Sequence, residues 1–511
     1  MKFFYNNKKT IFSGLIIFFI AVICYSQLMT QGLTNSVDGL WESSFHNAGA
    51  WELSIGRWFW LYLSRMRFGT SPDPITSILA LLIYLLGVLL FFDYIELNSL
   101  VLRIVLGVLF LCSPMITMSL SYRYMSPTFA TAFTLSIASL WVVKKLKNPY
   151  IAVFLCSIMT ALSLGSYQAY ISCSTVALLV YSLLLLKKGS DRKIFFASFT
   201  KSCIGILLGC IFYVIALRIH LALTGIQMAD YYGGNQYSIL NCILGIPSST
   251  SRAFYYFKEF LTGTLYLSNR ILNKQIYIIL SCLSLVYVVF CLINIFKKKD
   301  WLYFILFIVC ILLLPFGANS MLYIATGATL ALQSACGLYF LFPALLGVLL
   351  TERIDFKKEK IVTLLATSLV IVFTYGSCYQ VITDQSVMAQ GKKSCESITS
   401  LILSKLTQEN LLSTDYTYCF YGSCYNSDLY IIDRASEHAN TYAFYGAWYS
   451  EPGNTCKSWK GLINKTLMLN LNMADASTYT TYGAKASDMA CFPNEGSIQK
   501  IDNVILIKVS E

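Results

Sequence analysis

Lys8-Lys9-Thr10-Ile11-Phe12-Ser13-Gly14-Leu15-Ile16-Ile17-Phe18-Phe19-Ile20-Ala21-Val22-Ile23-Cys24 decides the fold class. Two lysines, with Lys2 upstream, stand before an apolar run that continues to residue 30. A hydrocarbon core of ~30 Å takes about 20 apolar residues of helix to cross. No convincing small-residue cleavage site follows, so the run reads as a retained anchor and not as a signal peptide. Similar runs recur along the 511 residues, of which 56% are hydrophobic and 13% charged. A soluble domain carries roughly 25% charged residues. The composition therefore predicts a polytopic α-helical membrane protein.

Charge sets the expected topology. The net charge of +12 does not point to nucleic acid, because the basic residues gather in short clusters between apolar runs. That is the positive-inside pattern. Spans are expected at residues 11–30, 74–92, 101–120, 128–143, 150–165 and 169–186, with a seventh ending near 224. An eighth is expected at 275–296, two more before 353, and an eleventh at 361–380. Lys144, Lys145 and Lys147, then Lys187, Lys188, Arg192 and Lys193, then Lys297, Lys298 and Lys299, then Arg353, Lys357, Lys358 and Lys360 mark the inner side. Each dense cluster follows an even-numbered span. A count of about eleven leaves the N-terminus cytoplasmic and the tail outside.

Three segments are then extracytoplasmic. The first loop covers residues 31–73. The second, 225–274, contains Ser251-Arg252-Ala253-Phe254-Tyr255-Tyr256-Phe257-Lys258-Glu259-Phe260, a mixture of aromatics and charges that suggests a helix lying in the interface. The third is the tail. Residues 1–382 read as the membrane domain and 383–511 as a small α/β domain of its own. In that tail Asn503-Val504-Ile505-Leu506-Ile507-Lys508-Val509 reads as a strand, and residues 394–406 and 459–469 read as helices.

Chemistry-bearing residues concentrate in the first loop: Ser36-Val37-Asp38-Gly39-Leu40-Trp41-Glu42, then Trp51-Glu52-Leu53-Ser54-Ile55-Gly56-Arg57-Trp58. Carboxylates move protons, arginine holds phosphate, and indoles stack on sugar rings. No glycine-rich nucleotide cradle is present. Most of the 17 cysteines sit in apolar runs as small hydrophobes, and the chain has three histidines with no zinc spacing. No cofactor is expected, and nothing in the pattern indicates a divalent cation. Cys395, Cys419, Cys424, Cys456 and Cys491 lie in the tail, where one or two disulfides are compatible with an external position.

Asp38, the Gly56-Arg57-Trp58 stretch, Ser166-Tyr167-Gln168-Ala169 and the ending Met489-Ala490-Cys491-Phe492-Pro493-Asn494-Glu495-Gly496-Ser497-Ile498 occur in an order that resembles the bacterial glucosyltransferase-II family. These are membrane glucosyltransferases of the O-antigen type. The resemblance runs nearly end to end. It implies a GT-C-like fold in the bacterial inner or plasma membrane. It implies transfer of a hexose, glucose first, from a polyprenyl-phosphate sugar to an external cell-surface glycan such as O-antigen or teichoic acid. A donor-synthesising glycosyltransferase and a flippase would be partners, and nucleic acid would not. The family's acid in the first external loop falls on Asp38, the expected general base. Many GT-C enzymes show paired acids there, but Gly39 follows Asp38, which leaves Glu42 or Glu52 as the second acid, or none.

Beside the resemblance, each residue has an ordinary reading. Arg57 is a phosphate ligand or a headgroup anchor. Trp41, Trp51, Trp58 and Trp60 are belt anchors or sugar platforms. Arg123 and Arg218, near outer span ends, are costly against lipid, and phosphate is a candidate partner for each. Tyr167 and Gln168 bind substrate or bond helix to helix. A transporter or flippase would instead place ionisable residues at the midplane in repeated halves. A non-catalytic scaffold would need neither Asp38 nor Arg57.

Overall fold

The computed structural model describes residues 8–42, 44–230, 244–265, 271–325, 327, 329–351 and 359–511. Lys2, the basic residues Arg353, Lys357 and Lys358, and parts of the second loop (231–243 and 266–270) lie outside the described residues.

The molecule is mostly helical. Among the described residues eight helices are long and apolar enough to cross a membrane, or nine if one bent pair counts as a span. They are Ile75–Tyr94, Ser126–Lys145, Pro149–Ser166, Gln168–Lys188, Arg192–Thr224, Tyr277–Lys297, Trp301–Ala318 and Thr363–Gln408. The first and tenth expected spans fall on shorter helices, Lys8–Cys24 and Cys336–Thr351. Expected spans five and six are separate helices that meet at Tyr167-Gln168. Gln168–Lys188 is buried on nearly all sides and forms the central post.

The third expected span is broken. Leu100–Leu111 and Pro114–Ser121 meet at 49°. Pro114 cannot donate to the preceding turn, and the Ser113 side chain caps the new helix by accepting from the Ile116 N–H. The break aims the end of the second piece, Ser121, at the first loop.

The lysine clusters tie span ends together. Glu96 accepts from Lys144 at 2.7 Å and Lys188 at 2.9 Å, and Lys145 reaches Asp93 at 2.7 Å. The ends of Ile75–Tyr94, Ser126–Lys145 and Gln168–Lys188 therefore share one face, as the lysine clusters led one to expect.

At the opposite end, the aromatic stretch of the second loop lies in the helix Ile246–Leu261, whose Phe260 is buried in the main core. The last long helix, Glu359–Gln408, runs without interruption through residue 382. Beyond it the tail builds a four-stranded sheet in the order β2-β1-β4-β3, from β1 Thr417–Tyr421, β2 Asn472–Met473, β3 Ile498–Ile501 and β4 Val504–Lys508. β1 is parallel to β2 and β4, while β3 and β4 are antiparallel. Successive strand residues face opposite ways. Phe420, Ile505 and Ile507 pack with Trp459 and the end of the long helix, while Cys419 and Leu506 pack with Ala486 and Met489. Both faces are covered, which explains the unbroken apolar run of β4. The expected helix at 459–469 is Pro452–Lys460 continued by a six-residue π-helical turn, Gly461–Thr466.

Candidate active site

The first loop folds into three short helices, Asp38–Trp41, Ala50–Ser54 and Trp58–Met66. Asn35 starts the first. Its side-chain carbonyl accepts from the N–H groups of Val37 at 3.1 Å and Gly39 at 3.0 Å, and its amide donates to the Ser121 hydroxyl at 3.3 Å. The helix is thereby pressed on the broken third span. A Cβ at Gly39 would stand 2.5 Å from the Ser121 carbonyl oxygen. A second acid cannot follow Asp38 directly, because no side chain fits there.

The tail covers the other flank. Leu40 is buried in the tail's own core beside Trp459, Leu462 and Ile463. Trp41 donates to the Ser458 hydroxyl at 2.9 Å. Lys465 bonds the Trp41 carbonyl and pairs with Glu42 at 3.0 Å. The Ser36 hydroxyl bridges the Phe444 carbonyl and the Gly446 N–H, at 3.2 Å each. These contacts place the first loop and the tail on one side of the helical bundle.

Of the three acids, two are committed. Glu42 is held by Lys465. Glu52 accepts from the Gly49 N–H at 2.7 Å, closing the cap of its own helix, and is bound to His46 at 2.9 Å. Burial disfavours its charge, but those hydrogen bonds outweigh burial and hold its carboxyl below the ordinary range. His46 is fixed in turn between the rings of Tyr124 and Trp60. Asp38 differs: among the described residues nothing hydrogen-bonds its carboxylate. Burial pushes that carboxyl above its usual value, against the pull of Arg57, Lys457 and His46.

Arg57 is held by a built turn. Gly56 has φ +85°, a left-handed value that glycine takes freely. A Cβ there would strike the Tyr213 hydroxyl and stand 2.8 Å from Gln168 Nε2. Gln168 donates to the Ile55 carbonyl at 2.8 Å and to the Tyr213 hydroxyl at 3.2 Å, and Tyr213 donates to the Gly56 carbonyl at 3.1 Å. The Arg57 N–H closes on the Glu52 carbonyl at 2.8 Å. The guanidinium lies over the Tyr167 ring at 4.5 Å and near Trp60 at 5.8 Å. Its Nε is buried without a hydrogen-bond partner, and no acid among the described residues pairs with it.

The remaining expected residues divide. Tyr167 joins the site, with its hydroxyl bonded to Ser334 at 3.0 Å. Gln168 reaches the backbone behind Arg57. Trp58 is buried against His220, 5.2 Å away and stacked, whereas Trp51 is exposed. Arg123 is taken by Asp73 at 2.7 Å. Arg218 is exposed on the helix Arg192–Thr224, and no described acid pairs with it. Sequence reasoning missed Lys457, Lys465, Tyr213 and the tyrosines Tyr122 and Tyr124, which feel the charge of Asp38. Tyr122 and Tyr124 flank Arg123 and were the one visible signal. A group of donors close enough to hold a metal ion, Cys24, Cys112 and Cys378, contains none of these site residues.

Asp38 and Arg57, from the same loop, are thus an acid and a cation with no charge partner in contact among the described residues, Arg57 lying over the Tyr167 ring. A family model described as "Glucosyl transferase GtrII" matches residues 34–342. The chain belongs to the GtrII glucosyltransferase family. The GtrII match begins one residue before Asn35 and takes in Asp38, Arg57, Tyr167, Gln168 and Ser334. It ends before the tail that supplies Lys457 and Lys465. No curated protein and no solved structure matches the chain.

Proposed function

We propose that this GtrII-family protein transfers a hexose, glucose first, from a polyprenyl-phosphate sugar to a glycan outside the plasma membrane of a bacterium. The observation that carries this reading is the contrast in pairing. Glu42, Glu52 and Arg123 are spent on neighbours, while Asp38 and Arg57 have no partner of opposite charge in contact among the described residues.

Asp38 takes the proton of the acceptor hydroxyl as its oxygen attacks the anomeric carbon. The bond from that carbon to the phosphate oxygen breaks, and polyprenyl phosphate leaves. Charge accumulates on the phosphate as the bond opens, so Arg57 acts more strongly in the transition state than on the bound donor. The apolar flanks of the bundle receive the prenyl chain. The first loop and tail face outward, and the lysine-rich face is cytoplasmic. A separate glycosyltransferase and a flippase would supply the donor on the outer leaflet.

The test is transfer by the purified full-length protein. Polyprenyl-phosphate glucose should support transfer to an isolated cell-surface glycan. An Asp38→Asn enzyme with normal turnover would end the assignment.

A further inference from the structure

We propose that Lys457, in the tail and outside the region matched to the family, joins Arg57 in binding the donor phosphate, so that the active site is completed by the C-terminal segment. This rests on the reading of Asp38 as base and of a lipid phosphate as donor.

Geometry comes first. The Lys457 ammonium stands over the Trp41 ring, 5.1 Å from its centre. Trp41 belongs to the same short helix as Asp38 and is fixed by Ser458, the residue after Lys457. The position of this lysine is therefore set by the contact between loop and tail. Lys457 is exposed, and no described acid pairs with it. Arg57 is placed independently, over Tyr167. Asp38 feels both cations, Arg57 first and Lys457 second.

Charge then selects the ligand. Of the acids nearby, Glu42 is paired with Lys465, and Glu52 is held by the Gly49 N–H and by His46, apart from the charges that act on Asp38. Among the groups that would meet the ligand, two cations, Arg57 and Lys457, against one acid, Asp38, leave one positive charge. A polyprenyl-phosphate sugar is a phosphodiester with one negative charge, so the loaded site is neutral. During transfer the acceptor proton neutralises Asp38, and the phosphodiester becomes a phosphomonoester carrying a second negative charge. The sum stays at zero from donor to product. With Arg57 alone, the loaded and the product-bound site would each carry a net negative charge in a partly buried place, which is costly.

The experiment measures binding of polyprenyl phosphate and of polyprenyl-phosphate glucose to the full-length protein in nanodiscs. Lys457→Gln is compared with Lys457→Arg, Arg57→Ala and Ser458→Ala. Loss of a charge-assisted contact predicts about 10- to 100-fold weaker binding. Lys457→Gln should lose more affinity for the monoester than for the diester, and Lys457→Arg should recover most of it. Ser458→Ala removes the hydrogen bond between tail and Trp41 and leaves every charge in place. An equal loss in Ser458→Ala and Lys457→Gln would make Lys457 a docking residue and overturn the proposal. So would unchanged lipid affinity with a raised KM for the glycan, which would assign Lys457 to the acceptor. Silence of Arg57→Ala as well, or no lipid binding by the unaltered protein, would instead sink the donor reading on which the proposal stands.

Discussion

The guanidinium of Arg57 lies over the ring of Tyr167, 4.5 Å from its centre, and no acid in the described structure neutralises it. The two residues come from different parts of the chain, the first loop and the turn between two spans. An arginine that only anchored the loop to headgroups would face outward. Here the side chain is half-buried and its Nε is fully so, without a hydrogen-bond partner, and taking a cation part-way out of water costs free energy that a counter-charge would offset. Asp38, whose carboxyl feels Arg57 more than any other charge, is the acid in this loop without a charge partner among the described residues.

That pairing of roles predicts the behaviour of Asp38. Asp38→Asn keeps the shape and removes the base, so turnover should fall by ~10²–10⁴-fold while donor affinity changes little. The pH profile carries a second signature. A base works only when ionised, and burial favours the protonated form of Asp38. Activity should therefore be lost as pH falls through a value above the ordinary aspartate pKa of about 3.9. An acid limb of kcat/KM at the ordinary aspartate value, or the same limb persisting in the Asn variant, would move the role to another group.

Donor class is tested by substitution of the substrate. The purified enzyme should transfer glucose from polyprenyl phosphate and fail with UDP-glucose alone. Robust transfer from the nucleotide sugar, with no lipid intermediate formed, refutes the mechanism.

Sidedness has a sharper prediction than charge clusters give, because the loop and the tail touch through Trp41 and Ser458 and through Glu42 and Lys465. Cysteines at Phe45 in the loop and at Gly483 in the tail should react with a membrane-impermeant reagent in intact cells, above the signal of the native thiols. Phe45 is exposed, and a side chain at Gly483 meets open space. Reaction at one position only, or at either only after permeabilisation, contradicts an external site shared by loop and tail.

Much of this was legible in the chain. Apolar runs of this length give most of the long helices because the bilayer fixes the length of a span. Asp38 and Arg57 were visible as polar residues in a loop between spans. The break at Pro114 was not read, because an apolar run gives no sign of a bend that serves packing. The fates of Glu42, Glu52 and Arg123 were not readable either. Glu42 and Arg123 are decided by partners distant in sequence, and Glu52 by the cap of its own helix and by His46. Gly39 looked like a departure from a paired-acid pattern, and only the Ser121 carbonyl explains it. Lys457 sits in an ordinary polar helix, and nothing local marks it.

The turn that carries Arg57 gives the last prediction. Gln168 and Tyr213 hold the carbonyls of Ile55 and Gly56, and Gly56 fills a space that a methyl group cannot. None of the three needs to touch substrate to matter. Gly56→Ala adds a methyl that collides with both side chains at a left-handed φ, so the turn must shift and Arg57 with it. A displacement of about 1 Å is enough to cost ~10²-fold in rate. Gln168→Ala and Tyr213→Phe each remove two hydrogen bonds, one of them the bond they share, each worth roughly 0.5–1.5 kcal/mol, and should slow transfer less. The double variant should lose less than the sum, because the two side chains are bonded to each other. All should keep an acid limb, since Asp38 is untouched, and any variant that draws Arg57 away should shift that limb upward, because Arg57 favours the charged form of Asp38. Measured kcat, donor affinity and thermal stability separate this from simple unfolding. If Gln168→Ala and Tyr213→Phe lower stability while the surviving protein keeps full turnover and donor affinity, the clamp supports the fold and does not position Arg57.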